Sequence, residues 1–146
     1  MIALIQRVTQ AAVAIDDKTV AAIGPGILAL VAAEPDDAPA QAERLAERVL
    51  GYRIFADESG RMNHGALETG RAVLAVPQFT LAADTRRGNR PGLSTACPPE
   101  RAKGLFDTFV DALKARHPEH VEQGVFGADM QVSLLNDGPV TFWLQA

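Results

Sequence analysis

Gly24-Pro25-Gly26-Ile27-Leu28-Ala29-Leu30-Val31-Ala32 is the stretch whose reading decides the fold class. Gly-Pro-Gly punctuates the chain, and every residue from Ile27 to Ala32 is apolar. A strand with one wet face alternates, so a short continuous apolar run reads as a strand buried on both faces. Immediately downstream, Glu34-Pro35-Asp36-Asp37 supplies a turn and N-cap material. Over residues 38–50, Ala42, Leu45, Ala46, Val49 and Leu50 fall at helical spacing, which predicts an amphipathic helix.

Working outward, residues 2–8 and 13–23 read as strands, with Asp16-Asp17 as a turn inside the second. Residues 52–55 return to strand and 57–60 turn. Arg61-Met62-Asn63-His64-Gly65 has no clear period and reads as loop. Residues 72–81 form a further strand, carrying Pro77-Gln78-Phe79-Thr80-Leu81 at its far end, and 82–95 read as a polar loop. Pro98-Pro99-Glu100 opens a second helix, because proline suits a first helical turn. Its apolar stripe is Ala102, Leu105, Phe106, Phe109, Val110 and Leu113, and it ends near Arg116-His117-Pro118. Residues 130–135 and 140–144 predict a hairpin closed by Asn136-Asp137-Gly138-Pro139-Val140-Thr141. Strands and two main helices spread along the chain point to an α/β fold, two layers of sheet with helices on one side. No repeat, linker or boundary interrupts residues 1–146, which read as a single domain.

Composition sets the outer bounds. The chain is 47% hydrophobic and 22% charged, ordinary for a soluble globular protein. No run approaches the ~18 apolar residues of a membrane span. The opening Met1-Ile2-Ala3-Leu4-Ile5-Gln6-Arg7 lacks the pattern of a signal peptide. Cys97 is the single cysteine, which excludes an intrachain disulfide and suits a reducing cytoplasm. Its neighbours Ala96, Pro98 and Pro99 offer no activating base. The net charge of −4 argues against broad nonspecific binding to DNA or other nucleic acid, while leaving room for a local basic patch.

The familiar catalytic constellations are missing: no nucleophile elbow, phosphate loop or paired-histidine zinc sequence occurs. No metal and no cofactor is expected. His117 and His120 flank Pro118-Glu119 in a stretch that reads as solvated surface, and His64 sits in a loop. Two segments carry chemistry of another kind. Gln78-Phe79-Thr80 lies where a strand ends and its backbone N–H groups run out of sheet partners, a place suited to hold a developing oxyanion. Thr85-Arg86-Arg87-Gly88-Asn89-Arg90 is the densest basic cluster, and guanidinium groups match phosphate geometry. Asn136-Asp137-Gly138-Pro139-Val140-Thr141 reads as an ordinary turn or as a rigid wall with bare carbonyls and no side chain at Gly138. Its Gly-Pro bond is a candidate cis peptide.

Several of these segments occur together in the D-aminoacyl-tRNA deacylase family, which the whole chain resembles. The resemblance rests on Ala3-Leu4-Ile5-Gln6-Arg7-Val8, Ile23-Gly24-Pro25-Gly26, Arg53-Ile54-Phe55, Met62-Asn63 and Gln78-Phe79-Thr80-Leu81. Ala83-Asp84-Thr85-Arg86, Pro98-Pro99-Glu100, Phe126-Gly127-Ala128-Asp129-Met130 and the final Asn136-Asp137-Gly138-Pro139-Val140-Thr141 extend it. It implies a layered α/β/β domain of mixed sheets in a cytoplasmic homodimer, with active sites at the subunit interface. It implies hydrolysis of the ester joining a D-amino acid to the 3′ end of tRNA, with glycine mischarged on tRNA(Ala) as a further substrate. Gly138 and Pro139 would form a cis pair inserted into the partner's site, rejecting L side chains. Arg7 and Asn136 would support that motif, Arg7 by bracing it across the interface. Backbone N–H groups of Gln78, Phe79 and Thr80 would position the ester, the tRNA 2′-hydroxyl would assist attack by water, and Thr141 or Thr80 is the hydroxyl alternative. Arg86, Arg87 and Arg90 would contact tRNA. One departure stands out: the family usually has Ser just before Gln-Phe-Thr-Leu, where this chain has Pro77, without hydroxyl or N–H. That departure keeps open a noncatalytic RNA-end or small-molecule binding protein on the same fold.

Overall fold

A computed structural model describes residues 1–86, 88–94 and 96–146. The elements run β1 (Ile2–Ile15), β2 (Lys18–Ile23), β3 (Gly26–Ala32), α1 (Pro39–Gly51), β4 (Phe55–Ala56), β5 (Met62–His64), α2 (Ala66–Thr69) and β6 (Ala72–Pro77). A 3-10 turn (Phe79–Ala82), α3 (Pro99–Arg116), β7 (Val121–Gln123) and β8 (Gln131–Gln145) complete the chain. The two main helices fall where periodicity puts them. The strand expected over 72–81 instead stops at Pro77, and α2 lies in a stretch the sequence reading left without structure.

β1 is one strand of 14 residues, not two, and it organises the sheet. Asp16 and Asp17 both adopt positive φ, 48° and 59°, so the chain reverses in the tight primed turn whose twist suits a hairpin. β2 and β3 then follow each other along one edge of β1, Ala11 opposite Ile23 and Val8 opposite Gly26. Beyond β3, β6 and β7 add in parallel, each reached through a helical crossover. Gly26 is obligatory at the first of these junctions: a Cβ there would stand 2.1 Å from the Ala72 carbonyl oxygen.

The continuous apolar run is buried on both faces, as its composition requires. Ile27, Ala29 and Val31 join Val73 and Ala75 in a core roofed by Leu45 and Val49 of α1 and Phe109 and Leu113 of α3. Leu28, Leu74 and Val76 point the other way, into a smaller core with Val8, Val13 and Ile23. That second core exists because the sheet curls until β2 comes against β6 and β7. Truncating Phe109, which is fully buried, would cost ~3–5 kcal/mol.

β8 corrects the expected hairpin. Both of its halves pair antiparallel with β1 in one direction, from Ala14 opposite Gln131 to Ile2 opposite Gln145. The register jumps between Val8 opposite Asn136 and Gln6 opposite Thr141, so the segment between is thrown out of the ladder as a bulge. The chain does not reverse there. Pro139 has no N–H to give the ladder and Gly138 takes φ 137°, which explains the ejection. β1 runs on past the gap and recaptures the chain on the far side.

Candidate functional site

The ejected segment is small, exposed and firmly held. Its Gly138–Pro139 peptide is cis. At its base, Asn136 Nδ2 donates to the carbonyls of Arg7 (2.8 Å) and Val140 (3.0 Å), closing the neck of the bulge. Arg7 Nε donates to the Asp137 carbonyl at 3.1 Å and pairs with its carboxylate at 3.2 Å, while one Nη donates to Ile54 O at 2.7 Å. These Arg7 contacts are made within one chain. Gly138 and Pro139 are exposed. Thr141, also exposed, has Gln6 Nε2 at 3.4 Å from its hydroxyl, and no base adjoins it among the described residues.

The second feature is a cleft of about 470 Å³ beyond the end of β6. Its walls are largely apolar: Val76, Pro77, Phe79, Ala102, Phe126 and Met130 contribute, with Cys97 and Asp129 also on the lining. Gln78 stands at the strand end, where its N–H still donates to Val31 O at 2.7 Å. This corrects the expectation for Gln78, whose backbone donor is spent on the sheet. The N–H groups of Phe79 and Thr80 open the 3-10 turn, so they lack partners within it, and they donate to no other backbone carbonyl among the described residues. Phe79 is 55% exposed, so its ring is available to a ligand. Gln78 Nε2 donates to Thr80 Oγ1 at 2.5 Å, which occupies the hydroxyl without activating it. Burial pushes the Cys97 thiol up, against a smaller opposing pull from Arg101, so this cysteine is no ready nucleophile. Gly138 and Pro139 do not line the cleft of their own chain.

The arginine-rich loop is placed less favourably than its sequence suggests. Arg86 forks onto Asp84 with Nε to Oδ1 at 2.8 Å and Nη2 to Oδ2 at 2.9 Å. That pairing holds the Asp84 carboxyl at about 2, well under its usual 3.8. Arg90 is exposed, and Arg87 lies outside the described residues. Of the two histidines expected at the solvated surface, His120 is exposed as expected and His117 is not. His117 is buried and its Nε2 meets the Arg71 carbonyl at 2.9 Å, with the His120 ring stacked on it at 4.6 Å. His64 faces Glu68 across 3.2 Å. Among the described residues no group of His, Cys, Asp or Glu is arranged to hold a metal.

Sequence reasoning missed the cleft walls from α3 and the segment before β8. Ala102 was legible only as a core position and Met130 only as the start of a strand, and Phe126 carried no signal beyond its place in a quoted segment. Contacts between distant elements make that cleft.

These features define an α/β domain whose site is built mainly from backbone and apolar walls, with no side-chain nucleophile poised beside a base among the described residues. The comparisons agree on the fold and sharpen the class. A profile of D-Tyr-tRNA(Tyr) deacylase matches residues 4–145. The D-aminoacyl-tRNA deacylase of Stenotrophomonas maltophilia (strain K279a) is 59% identical over 145 residues, covering 99% of each chain. A solved structure titled c-Myc DNA Unwinding Element Binding Protein superposes with a TM-score of 0.95 at 37% identity, covering 100% of this chain and 99% of that one. Another, of a probable eukaryotic D-amino acid tRNA deacylase, shares the fold with a TM-score of 0.87 at 16% identity, covering 99% and 98%. The chain belongs to the D-Tyr-tRNA(Tyr) deacylase family, a family of hydrolases.

Proposed function

We infer that the chain hydrolyses the ester between a D-amino acid and the 3′-terminal adenosine of tRNA, working as a cytoplasmic homodimer with its sites at the interface. The observation that carries this reading is the separation of the two halves of the site. Phe79 lines an apolar cleft and Thr80 follows it in the 3-10 turn, their N–H groups without a backbone acceptor among the described residues, and the Gly138–Pro139 bulge stands outside that cleft in the same chain. In a twofold dimer, each bulge can close the partner's cleft.

In this reading the ester carbonyl accepts from Phe79 and Thr80 N–H, which stabilise the oxyanion as it forms. Water attacks the carbonyl carbon, the bond to the ribose oxygen breaks, and the proton from water passes to that leaving oxygen with help from the 2′-hydroxyl. The products are free D-amino acid and tRNA. Gly138 and Pro139 receive the α-amino end on their carbonyls and leave no room for an L side chain. A clash of ~3 kcal/mol separates the two enantiomers by roughly a hundredfold. Glycine has no side chain to clash, so glycyl-tRNA(Ala) passes the same gauge.

The lack of any activated nucleophile among the described residues of the cleft also suits a protein that binds an RNA end or small molecule without cleaving it. Incubating purified protein with D- and L-tyrosyl-tRNA separates the readings. Rapid loss of the D ester alone is the expected result. Protection of the D ester from spontaneous hydrolysis would replace the deacylase with the binding protein.

A further inference from the structure

A second cleft, of about 370 Å³, lies against the bulge and is lined by Arg7, Thr9, Phe55, Thr69, Arg71 and Asp137 among others. It shares no lining residue with the apolar cleft. Arg71 is held there in an unusual way. Its N–H donates to Ala66 O at 3.1 Å, and its carbonyl faces the buried His117 Nε2 at 2.9 Å, so its backbone is pinned from both sides. Its guanidinium, by contrast, makes no ion pair and no hydrogen bond among the described residues. It lies 5.8 Å from the centroid of the Phe55 ring, which supports the planar group while leaving its N–H fork free.

Arg7 completes the chemistry. It spends Nε on Asp137 and one Nη on Ile54 O. Asp137 is the sole carboxylate on the lining and is matched by Arg7, so the charge on Arg71 is left over. An exposed guanidinium without a partner among the described residues, resting on an aromatic ring in a cleft, is a site for an anion, and a planar fork suits phosphate oxygens. The Arg86 loop contrasts with this, its first guanidinium being already satisfied by Asp84.

We propose that this cleft binds a phosphodiester of the tRNA 3′ strand, with Arg71 as its principal donor. The proposal rests on the deacylase reading. Asp137 belongs to both the cleft and the bulge, so a bulge brought up to the aminoacyl-adenosine brings Arg71 toward the phosphates that precede it.

The test compares D-tyrosyl-tRNA with D-tyrosyl-adenosine, which carries no phosphate, using wild type, Arg71→Gln and Arg71→Lys over a salt series. Arg71→Gln is expected to raise KM for the tRNA roughly three- to tenfold and to lower the salt slope of log affinity by ~0.7, the single-strand value for one phosphate. Its KM for the adenosine ester should stay within about twofold of wild type, and Arg71→Lys should restore the salt slope. An equal effect on both substrates, no effect on either, or dissociation of the dimer in sedimentation would overturn the phosphate site. Wild type that cleaves neither ester would remove the deacylase reading, and the phosphate site with it. Normal cleavage with an unaltered salt slope in Arg71→Gln would remove the phosphate site alone.

Discussion

The apolar cleft and the Gly138–Pro139 bulge are built in opposite ways. The cleft is concave and draws its walls from β6, α3 and the segment leading into β8, so many side chains share the work of shaping it. The bulge is convex and belongs to one strand. Asn136 and Arg7 hold its neck, and the conformation of Gly138 sets its shape. A surface made by many residues tolerates the loss of one, whereas a surface made by backbone depends on whichever residue permits that backbone. The two features therefore should respond very differently to small substitutions.

The largest expected effect follows from Gly138. It sits at φ 137°, and a Cβ there would lie 2.7 Å from Val140 Cγ2, 3.0 Å from Val140 N and 3.2 Å from an Arg7 Nη. Gly138→Ala should therefore displace the bulge by a fraction of an ångström or more, enough to cost ~100-fold in kcat/KM for a D-aminoacyl-tRNA. Alanine is strained at this φ and Val140 packs against the main core, so a modest fall in thermal stability should accompany the loss of activity. Full activity in this variant would break the contrast between cleft and bulge.

A smaller effect is expected for Arg7→Ala. It removes the donor to the Asp137 carbonyl and the ion pair beside it, but leaves the Asn136 staple in place. A loss of about tenfold in kcat/KM, equal to ~1.4 kcal/mol, is the expected outcome of steady-state kinetics. A loss as large as that of Gly138→Ala would mean that Arg7 itself touches the substrate.

Local signals made much of the fold legible. The apolar run of Ile27 to Ala32 reads as a doubly buried strand because each side chain has a core to enter, and both cores are present. The two long helices follow from periodicity, and the second also from the prolines at its start. The bulge was legible as a place where the ladder fails, since Gly and Pro announce that locally. Whether the chain then turns back or rejoins the same neighbour is decided by β1, more than 100 residues upstream in a partner the turn sequence does not mention. His117 departs from its reading for a similar reason: its buried ring meets the carbonyl of Arg71, more than 40 residues upstream in the turn between α2 and β6. The Arg86–Asp84 fork, in contrast, spans two residues, and Asp at that spacing was a readable warning that the guanidinium is occupied.

The central claim is that the cleft of one chain works with the bulge of another. Two impaired chains test it: Gly138→Ala, with a sound cleft, and Ala128→Trp, whose large ring on a half-exposed lining position should block the cleft while sparing the bulge. Each alone should be nearly inactive on D-tyrosyl-tRNA. After the two are dissociated together and allowed to reassociate, half of the dimers would be mixed and each would carry one intact site, so activity should return to roughly a quarter of wild type. A mixture no more active than its separate components would contradict a site shared between subunits.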